Sequence, residues 1–455
     1  MAAKNIAKSI ILILMFLIAQ SCFAKNEPLK INIRACNINI NWWDNFSDPL
    51  LKEYIYLAME KNHELKRITY VTEQYRQTIK TEMAKEFPSL MISPTFARIK
   101  TAKQQIFDVE TATLRTNNYA IPLVAYYEAD IFLKNHDKTK SARKEFEAYK
   151  YKEKSADISL ASDVATVYIN ILKFDKLINT QQKITDIRKK IKDLTNDRYK
   201  LGLASLYDVT YTDKQHTQAQ IDLNDLKRDR SLLLHQLAVY TDFCPCAAEN
   251  LARGDFDTLE YTGCIPECIS SDVVMLRPDV MKAEADLQKA KIDVRVARKD
   301  FLPQIQILGI AGYNALLLKN LFNWENIFAL VGVAAMQKLF SGGYLSANLK
   351  KKKLVYQELF EAYKQADLIA IQEINDALCK IKHDTKKDKD NLKKVQLETI
   401  NFNLVNERYK AGIESYLNLI QYEENLLSLQ KEKDTSKAQR LADYITLYKA
   451  TGTRL

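Results

Sequence analysis

The side chains whose spacing could do chemistry are four of the seven cysteines. Cys244 and Cys246 lie one residue apart, and Cys264 and Cys268 lie three residues apart. Four thiolates at such spacings could hold a tetrahedral zinc ion, whereas in an oxidising compartment the same thiols form disulfides. Cysteines one residue apart rarely bridge each other, so we expect disulfides that join Cys244 or Cys246 to Cys264 or Cys268.

The N-terminus decides between these two chemistries because it predicts export. Lys4 and Lys8 precede an apolar run over residues 10–19, and small residues follow the run. This pattern is typical of a secretory signal and is too short to be counted as a membrane span. We therefore predict a signal peptide over residues 1–24. In an exported chain the disulfides are favoured over the zinc site.

The end of this signal leaves two forms of processing open. Cleavage before Lys25 suits an ordinary signal peptidase. The sequence Ala-Gln-Ser-Cys at residues 19–22 resembles a lipobox, although it lacks the usual leucine three residues before the cysteine. Lipidation of Cys22 is therefore the alternative to plain cleavage.

Enzyme chemistry finds no support in the residue types that would carry it. The sequence has no glycine-rich phosphate loop, no Gly-x-Ser-x-Gly elbow and no His-Glu-x-x-His motif. The five histidines are scattered without the spacing of metal ligands: His63, His136, His216, His235 and His383. We expect no catalytic residue, no cofactor site and no metal site, and hence no enzyme.

Composition predicts a long helical chain. Only 10 glycines and 9 prolines occur in 455 residues, too few for a β-sandwich, a propeller or a long disordered protein. The chain is 47% hydrophobic and 27% charged, as in a folded protein. Its net charge of +10 is modest for this length, and the lysine runs 350–353 and 386–389 fit solvated helix faces. A nucleic-acid partner is not expected.

An internal repeat divides the chain into two similar halves. Residues 196–205 return as residues 406–415, with identical Asn, Arg, Tyr, Lys, Gly and Ser. Pro88 and Pro303, each between apolar residues, are a second echo. One repeat of this length is too long for a solenoid and indicates a duplicated half-protein. We predict a first repeat over residues 25–242, a cysteine-containing connector over 243–272 and a second repeat over 273–455.

Each half is predicted to contain the same order of elements, because breakers and periodicity recur in the same order. In the first half we expect a helix, two strands, a long helix and its antiparallel return at 49–86, 89–99, 119–131, 141–199 and 205–240. In the second half the corresponding segments are 273–301, 304–313, 326–336, 347–410 and 415–450. The fold class is therefore mainly α with a small β part.

The strand lengths point to a shared transmembrane barrel. About 10 residues, tilted, cross a bilayer as one β-strand. Four strands cannot close a barrel, and open edges do not occur in lipid, so several chains must contribute. Eight strands from a dimer would be filled by side chains, whereas twelve from a trimer leave room for a pore. The long helices, about 90 Å each, exceed the bilayer and must project from it.

The order of several short motifs resembles the TolC family of outer-membrane efflux proteins, most nearly the outer-membrane channels of resistance-nodulation-division (RND) multidrug pumps. The matching segments are a Trp pair before Phe-x-Asp-Pro-x-Leu (41–50), a strand end (127–132), an Arg-Pro-Asp (276–280) and a Gly-Gly turn (340–343). The fifth match is the Tyr-x-x-Gly-x-x-Ser, which occurs twice (199–205 and 409–415). The chain departs from the family pattern with Tyr127 for Trp, Leu133 for Gly and Leu276 for Arg.

The resemblance implies a homotrimer with a 12-stranded β-barrel in outer-membrane lipid and a long α-helical tunnel in the periplasm. It further implies the passive exit duct of a tripartite small-molecule efflux system. The expected partners are a periplasmic adaptor (membrane fusion) protein and an inner-membrane RND pump, or alternatively an ABC exporter. A duct for type I protein secretion is the second interpretation, and an exported coiled-coil scaffold without a pore is the third.

The resemblance also assigns the site residues. The two helix-hairpin tips would ring the periplasmic mouth and meet the adaptor through Leu201, Gly202, Leu203, Ser205, Ala411, Gly412, Ile413 and Ser415. Asp208 and Tyr409 would link neighbouring helices and hold the mouth shut. Asn418 and Gln421 stand where the best-known member of the family has aspartate rings, so a neutral ring is expected. The same residues also fit plain hairpin turns, with glycine at the helix end and serine as a cap, and ordinary surface amides.

Overall fold

Helices make up most of the chain in the computed structural model, which describes residues 42–100, 105–106, 109–110, 115–265, 269 and 271–452. The predicted signal peptide, Cys22 and Cys268 lie outside the described residues. The helices are α1 (Pro49–Lys61), α2 (His63–Met83), α3 (Lys134–Lys200), α4 (Leu206–Tyr240), α5 (Ser271–Met275), α6 (Pro278–Lys299), α7 (Tyr344–Lys410) and α8 (Tyr416–Thr451). None of these described helices is long and apolar enough to cross a membrane.

The long helix α3 begins earlier than predicted, at Lys134 rather than near residue 141. Asp130 explains the difference, because its carboxylate accepts the backbone N–H of Lys134 at 2.5 Å and of His136 at 2.8 Å. These are two of the N–H groups that a helix start leaves unsatisfied. Leu133 occupies the preceding left-handed position, with φ of 56°. With 67 residues, α3 is about 100 Å long, and α7 has the same length.

Two predicted helices are each split in the structure. The segment 49–86 breaks at Asn62, whose side chain accepts the N–H of Leu65 at 3.0 Å and starts α2. The segment 273–301 breaks before Pro278, because the residue preceding a proline is disfavoured in the helical region. Arg277 there has φ −63° and ψ 136°. Both breaks are corrections to the prediction of single helices.

The strands are β1 (Ser89–Ile92), β2 (Thr95–Lys100), β3 (Gln105–Ile106), β4 (Val109–Glu110), β5 (Arg115–Ala129), β6 (Gln304–Ala315) and β7 (Ile327–Met336). Five of them form an antiparallel sheet along the path β1-β5-β6-β7, with β2 also paired to β5. The predicted strand 89–99 is interrupted between β1 and β2, where Ser93 donates to the carbonyl of Pro122 in β5. Strands β3 and β4 pair only with each other and were not predicted.

The segment with the tryptophan pair is built into the core. Trp42 is almost fully buried and stacks on Tyr448 of α8 at 5.5 Å between ring centroids. Asp48 accepts the N–H of Leu50 at 2.9 Å and so caps α1, while its other oxygen accepts the hydroxyl of Tyr168 in α3 at 2.7 Å. Burial and this bond raise the pKa of Tyr168. The motif therefore joins the start of the chain to α3 and α8.

The Arg-Pro-Asp motif links three helices of the second half, α6, α7 and α8. Arg277 is buried and donates to both oxygens of Asp279, to Glu373 of α7 at 2.6 Å and to the carbonyl of Ala450 in α8 at 2.5 Å. Hydrogen bonds to Arg277 lower the pKa of Asp279 against the opposing effect of burial. A charged group that is satisfied in this way holds the start of α6 against the middle of α7 and the end of α8.

The cysteines correct one prediction. The structure pairs Cys244 with Cys246, instead of joining either of them to Cys264 or Cys268 as predicted. Pro245 opens a 3-10 turn between them, and the turn brings their Cα atoms to 5.3 Å, within the roughly 4.4–6.8 Å that disulfides need. Cys264 is also in a disulfide, and Cys379 is a free, exposed thiol.

Candidate functional site at the hairpin tips

The two repeated hairpin tips have the same backbone. We call residues 197–208 the first tip and residues 407–418 the second tip. Gly202 and Gly412 have φ of 73° and 72°, the left-handed conformation that glycine adopts without a steric penalty. In the first tip the N–H of Leu203 reaches the carbonyl of Arg198 at 2.8 Å, and in the second tip Ile413 reaches Arg408 at 2.9 Å. These bonds close both helix ends in the same way.

The serines cap the two return helices, but with different partners. Ser205 and Asp208 form a reciprocal capping box: the Asp208 carboxylate accepts the N–H and the hydroxyl of Ser205 at 2.9 and 2.7 Å. These bonds lower the pKa of Asp208. Ser415 accepts the N–H of Asn418 at 3.1 Å. The amide of Asn418 bonds to Glu414 and lowers the pKa of that carboxyl.

All eight residues predicted to dock an adaptor lie at the surface of the tips. Leu201 is 73% exposed, and Leu203 and Ile413 are similarly open to solvent. Three large aliphatic side chains without cover on two turns form the kind of surface at which partners bind. Their role in docking stays a prediction.

The predicted gate residues are brought together only in part. Asp208 and Gln421 line one cavity of about 360 Å³ between α3, α4 and α8. Tyr409 lies in the second tip, where its ring packs against Tyr416 at 5.8 Å. Within the described part of the chain, no hydrogen bond joins Tyr409 to Asp208. A bond between them would have to connect two copies of the chain, so the latch and the neutral ring with Asn418 stay predictions.

The sequence shows that an arginine recurs before each tip glycine, but sequence reasoning assigned these two arginines no role. Arg408 lies with Nε at 3.7 Å from Glu414, whereas Arg198 faces the cavity beside Asp208. The repeat itself contained the signal, because both arginines recur at the same position. Among the residues that the structure describes, no group of three His, Cys, Asp or Glu side chains is arranged to hold a metal ion.

Long antiparallel hairpins with matching tips, joined to a four-stranded antiparallel path, define the class of TolC-like channel proteins. The sequence family described as outer membrane efflux protein matches residues 54–241 and 270–453. The chain belongs to this family, and it is an outer-membrane protein, as the sequence predicted.

Named relatives match over most of both chains. The toluene efflux pump outer membrane protein TtgC of Pseudomonas putida is 24% identical over 413 residues, which cover 90% of this chain and 84% of the relative. The pyoverdine export outer membrane protein OpmQ of Pseudomonas aeruginosa is 24% identical over 421 residues, covering 90% and 86%.

Solved structures share the fold. The CmeC outer membrane channel of Campylobacter jejuni superposes with a TM-score of 0.83 at 22% identity, over 91% of this chain and 88% of that chain. The open-state MtrE outer membrane channel of Neisseria gonorrhoeae gives 0.79 at 23% identity, over 93% of each chain. These similarities confirm the predicted fold class of a helical tunnel protein with a small β part.

Proposed function

We propose that the chain is the outer-membrane exit duct of a tripartite efflux system and conducts small molecules passively from the periplasm to the exterior. The observation that carries this proposal is a sheet that is incomplete in one chain. Strands β1 and β2 lie at one edge and β7 at the other, and neither edge has a further partner among the described strands. In lipid each unpaired backbone group costs several kcal/mol, so additional copies must supply the missing strands.

Three copies fit the sheet best. The path from β1 to β7 contributes four strands per chain, and a twelve-stranded barrel is wide enough to leave a pore. Strand β7 exposes apolar residues two apart, Val331 and Val333, which lie on the same face of the sheet at this open edge. Side chains of this kind suit the lipid-facing band of a barrel.

The surface of α7 supports the same assembly. Over its 67 residues it buries five side chains, Leu345, Ala370, Ile374, Ala377 and Ile381. Leu368, Leu397 and Leu404 are among the large apolar residues that it leaves exposed. Neighbouring copies of the chain would cover these residues, and the hairpins would then enclose a tunnel in the periplasm.

The partners follow from the tips and from the relatives. A periplasmic adaptor would meet the two exposed tips and connect the duct to an inner-membrane RND pump or an ABC exporter. Relatives carry names as different as toluene efflux and pyoverdine export, which fits a duct whose cargo is selected by the pump. The second candidate, a duct for type I protein secretion, shares this architecture, but the Arg-Pro-Asp at 277–279 leans toward the pump-associated branch.

Replacing either tip glycine tests the duct and its docking together. Gly202→Trp and Gly412→Trp place a bulky side chain at left-handed positions and should splay the tips without touching the sheet. We expect cells that rely on either variant to lose resistance to exported toxic compounds, while the assembly and its membrane insertion persist. Gly332→Ala in β7, where an added Cβ meets open space, is the matched control. Full resistance in both tryptophan variants would reject docking at the tips. Loss of an exported protein with unchanged resistance would favour the secretion duct.

A further inference from the structure

The two faces of the sheet differ in polarity. Directly paired residues of antiparallel strands share a face, so the register assigns every strand residue to one of two sides. On one side, which we call the apolar face, no strand residue from the level of Ala129 to the level of Tyr119 is charged or carries an amide. Its side chains include Leu90, Leu123, Ile305, Ile307, Val331 and Val333. The opposite face carries Glu128, Gln306 and Asn314. The sheet thus has one side suited to lipid and one suited to water.

The apolar face has the height of the hydrocarbon layer of a membrane. The strand from Ala129 to Tyr119 measures ~33 Å along its axis and spans ~25 Å of a membrane at a tilt of about 40°. A barrel that conducts has a polar interior and an apolar outer band of this height, so the apolar face is turned to lipid. At one end of the band, the rings of Phe96 and Tyr119 pack with centroids 4.9 Å apart, as in the aromatic girdle at a membrane boundary.

This aromatic end of the sheet lies in the outer leaflet. Strands β5, β6 and β7 connect to α3, α6 and α7 at the other end, near Ala129, Gln304 and Met336. Those long helices project into the periplasm, so the end at Phe96 faces the exterior. The strand residues just beyond Phe96 therefore meet the headgroups of the outer leaflet.

Three cations continue the apolar face beyond its aromatic end. Arg98 is paired across the strands with Asn117, and Lys100 lies directly opposite Arg115. All three cationic side chains are exposed, and none forms an ion pair or a side-chain hydrogen bond in the part of the chain that the structure describes. Like charges placed directly opposite each other destabilise a sheet. An anion from outside the chain would remove that cost.

The depth of the cations matches the headgroup layer. Arg98 is two residues beyond Phe96 and Lys100 is four residues beyond it, which places them about 5 and 10 Å further outward in a tilted strand. The polar layer of a leaflet begins at the edge of the hydrocarbon and is roughly 5–8 Å thick. Because the cations lie on the lipid-facing side, the anion nearest to them is one that belongs to a lipid.

The second half has no such cluster at the same end. The turn between β6 and β7 exposes Leu316, Leu318, Phe322 and Trp324, the last by 84%. Lys319 is the only cation in the sequence of this turn. Apolar and aromatic side chains of this kind suit contact with lipid at the membrane boundary. The cationic cluster is therefore a feature of the first half, and each copy would present it once.

We propose that Arg98, Lys100 and Arg115 bind the phosphorylated headgroup of an outer-leaflet lipid whose acyl chains lie along the apolar face. The proposal rests on the barrel of the proposed function, because a closed barrel turns this face to lipid. The guanidinium groups hold phosphate oxygens through paired hydrogen bonds, and the lysine adds a point charge. A phosphate between Lys100 and Arg115 also relieves their repulsion. Such a site in each copy would fix the depth of the barrel in the outer leaflet.

Native mass spectrometry of the purified assembly tests the site, with diphosphorylated lipid A as the probe. We expect the parent to retain this lipid in preference to dephosphorylated lipid A and to phosphatidylcholine, at up to one molecule per copy of the chain. Arg98→Gln with Arg115→Gln should weaken retention about tenfold or more, because each cation beside an anionic headgroup contributes separately. Arg98→Lys with Arg115→Lys keeps the charge and should weaken retention less.

The matched control is Lys319→Gln with Lys338→Gln. It removes the same charge from two exposed lysines outside the strands, and retention should stay within about twofold of the parent. Because the substituted residues are all exposed, the variants should fold, and an unchanged trimer mass verifies this.

Three results would overturn the proposal. The first is equal retention of the lipid by the parent and by Arg98→Gln with Arg115→Gln. The second is displacement of the lipid by inorganic phosphate, which would make this a site for free phosphate. The third is unchanged retention with a trimer that is weakened equally by Arg98→Gln with Arg115→Gln and by Glu325→Gln, which would indicate an ion pair between copies. Failure of the proposed function appears separately, as a monomeric mass or an absence of conductance before any lipid A is added.

Discussion

The two longest helices have the same length and opposite surroundings. Helix α3 packs against α1, α2, α4, α6 and α8, and buried residues occur from Asn135 to Ile191. Helix α7 packs mainly against α6 and α8 and leaves most of its surface open. Duplication thus produced one helix that organises the interior of the chain and one whose exposed surface other copies would cover in the proposed trimer. We therefore expect substitutions in α3 to affect the stability of the fold, and substitutions on the exposed face of α7 to affect assembly of the copies.

Identical substitutions in the two helices should break this comparison most strongly. Leu172 of α3 is 1% exposed, and Leu368 of α7 is 62% exposed. Leu172→Asp buries an unpaired charge and should destabilise the chain by about 4 kcal/mol or more, enough to prevent folding. Leu368→Asp should leave the helical circular dichroism signal unchanged but weaken trimer formation. A folded Leu172→Asp protein, or a fully trimeric Leu368→Asp protein, would contradict the division.

The gate combines one residue from each half. Tyr409→Phe with Asp208→Ala should raise single-channel conductance of the purified protein, because it removes the predicted latch between helices of neighbouring copies. A hydrogen bond to a charged group is worth roughly 1.5–3 kcal/mol, and a trimer would contain three. Asp208 also caps α4 through Ser205, so Ser205→Ala, which weakens the cap but keeps the carboxylate, is the control.

A companion change asks whether the second half lines the narrowest part of the pore. Asn418→Asp would add a ring of three carboxylates and should increase cation selectivity, measured from reversal potentials. If conductance is unchanged in the double variant and selectivity is unchanged in Asn418→Asp, the constriction lies elsewhere.

The joint between α7 and α8 should make stability depend on pH. Asp443 is 2% exposed, one of its oxygens accepts from Gln439 at 3.0 Å, and the other is buried, accepts no hydrogen bond from the described residues and lies beside the carboxyl of Asp384. Burial and the neighbouring carboxyl of Asp384 raise the pKa of Asp443 to about 6, although Lys380 opposes the shift. The folded state therefore holds a proton that the unfolded state has lost, and stability should fall as the pH rises from about 4 through 6.

Asp443→Asn tests this joint without changing its shape. The amide is neutral at every pH and can donate to Asp384, so the variant should gain on the order of 2 kcal/mol at pH 8 and lose most of the pH dependence. Thermal unfolding at pH 5 and pH 8 measures both effects. Asp163→Asn, at an exposed pair with Lys449 on the other side of α8, should change little. Equal pH dependence in the parent and in Asp443→Asn would show that Asp443 does not carry the effect.

The starts of the two long helices allow the smallest comparison. Leu133 before α3 and Gly343 before α7 both have left-handed backbones, with φ of 56° and 83°. A leucine side chain costs about 1–2 kcal/mol there, and glycine does not. Leu133→Gly should therefore raise the unfolding temperature slightly, and Gly343→Leu should lower it by a similar amount. A lower unfolding temperature in Leu133→Gly would mean that the contacts of Leu133 outweigh the strain.

The sequence predicted the long helices and the tips but missed local features of the fold. The long helices were predictable because residues 141–199 contain no proline or glycine, and the tips because the Tyr-x-x-Gly-x-x-Ser returns. The break at Asn62 depends on a single side-chain cap that periodicity does not register. The break at Arg277 was available from the sequence, because Pro278 disfavours a helical residue before it. The Cys244–Cys246 pairing depends on one local turn.

The candidate site was predictable as a location but not in its chemistry. The repeated glycines and serines marked the tips, and the structure adds how their side chains are paired. That Arg408 lies 3.7 Å from Glu414, while Arg198 acts on Asp208, depends on distances across a turn, which a sequence pattern does not give. The latch between Asp208 and Tyr409 depends on a second copy of the chain, because the two residues are not bonded within one copy.

The central claim is that three copies of this chain close one barrel around a pore, and one preparation tests it. Residues 25–455, purified and reconstituted in lipid, should have the mass of a trimer and should conduct ions across a planar bilayer. A monodisperse monomer in lipid, or a trimer that never conducts, would contradict the account.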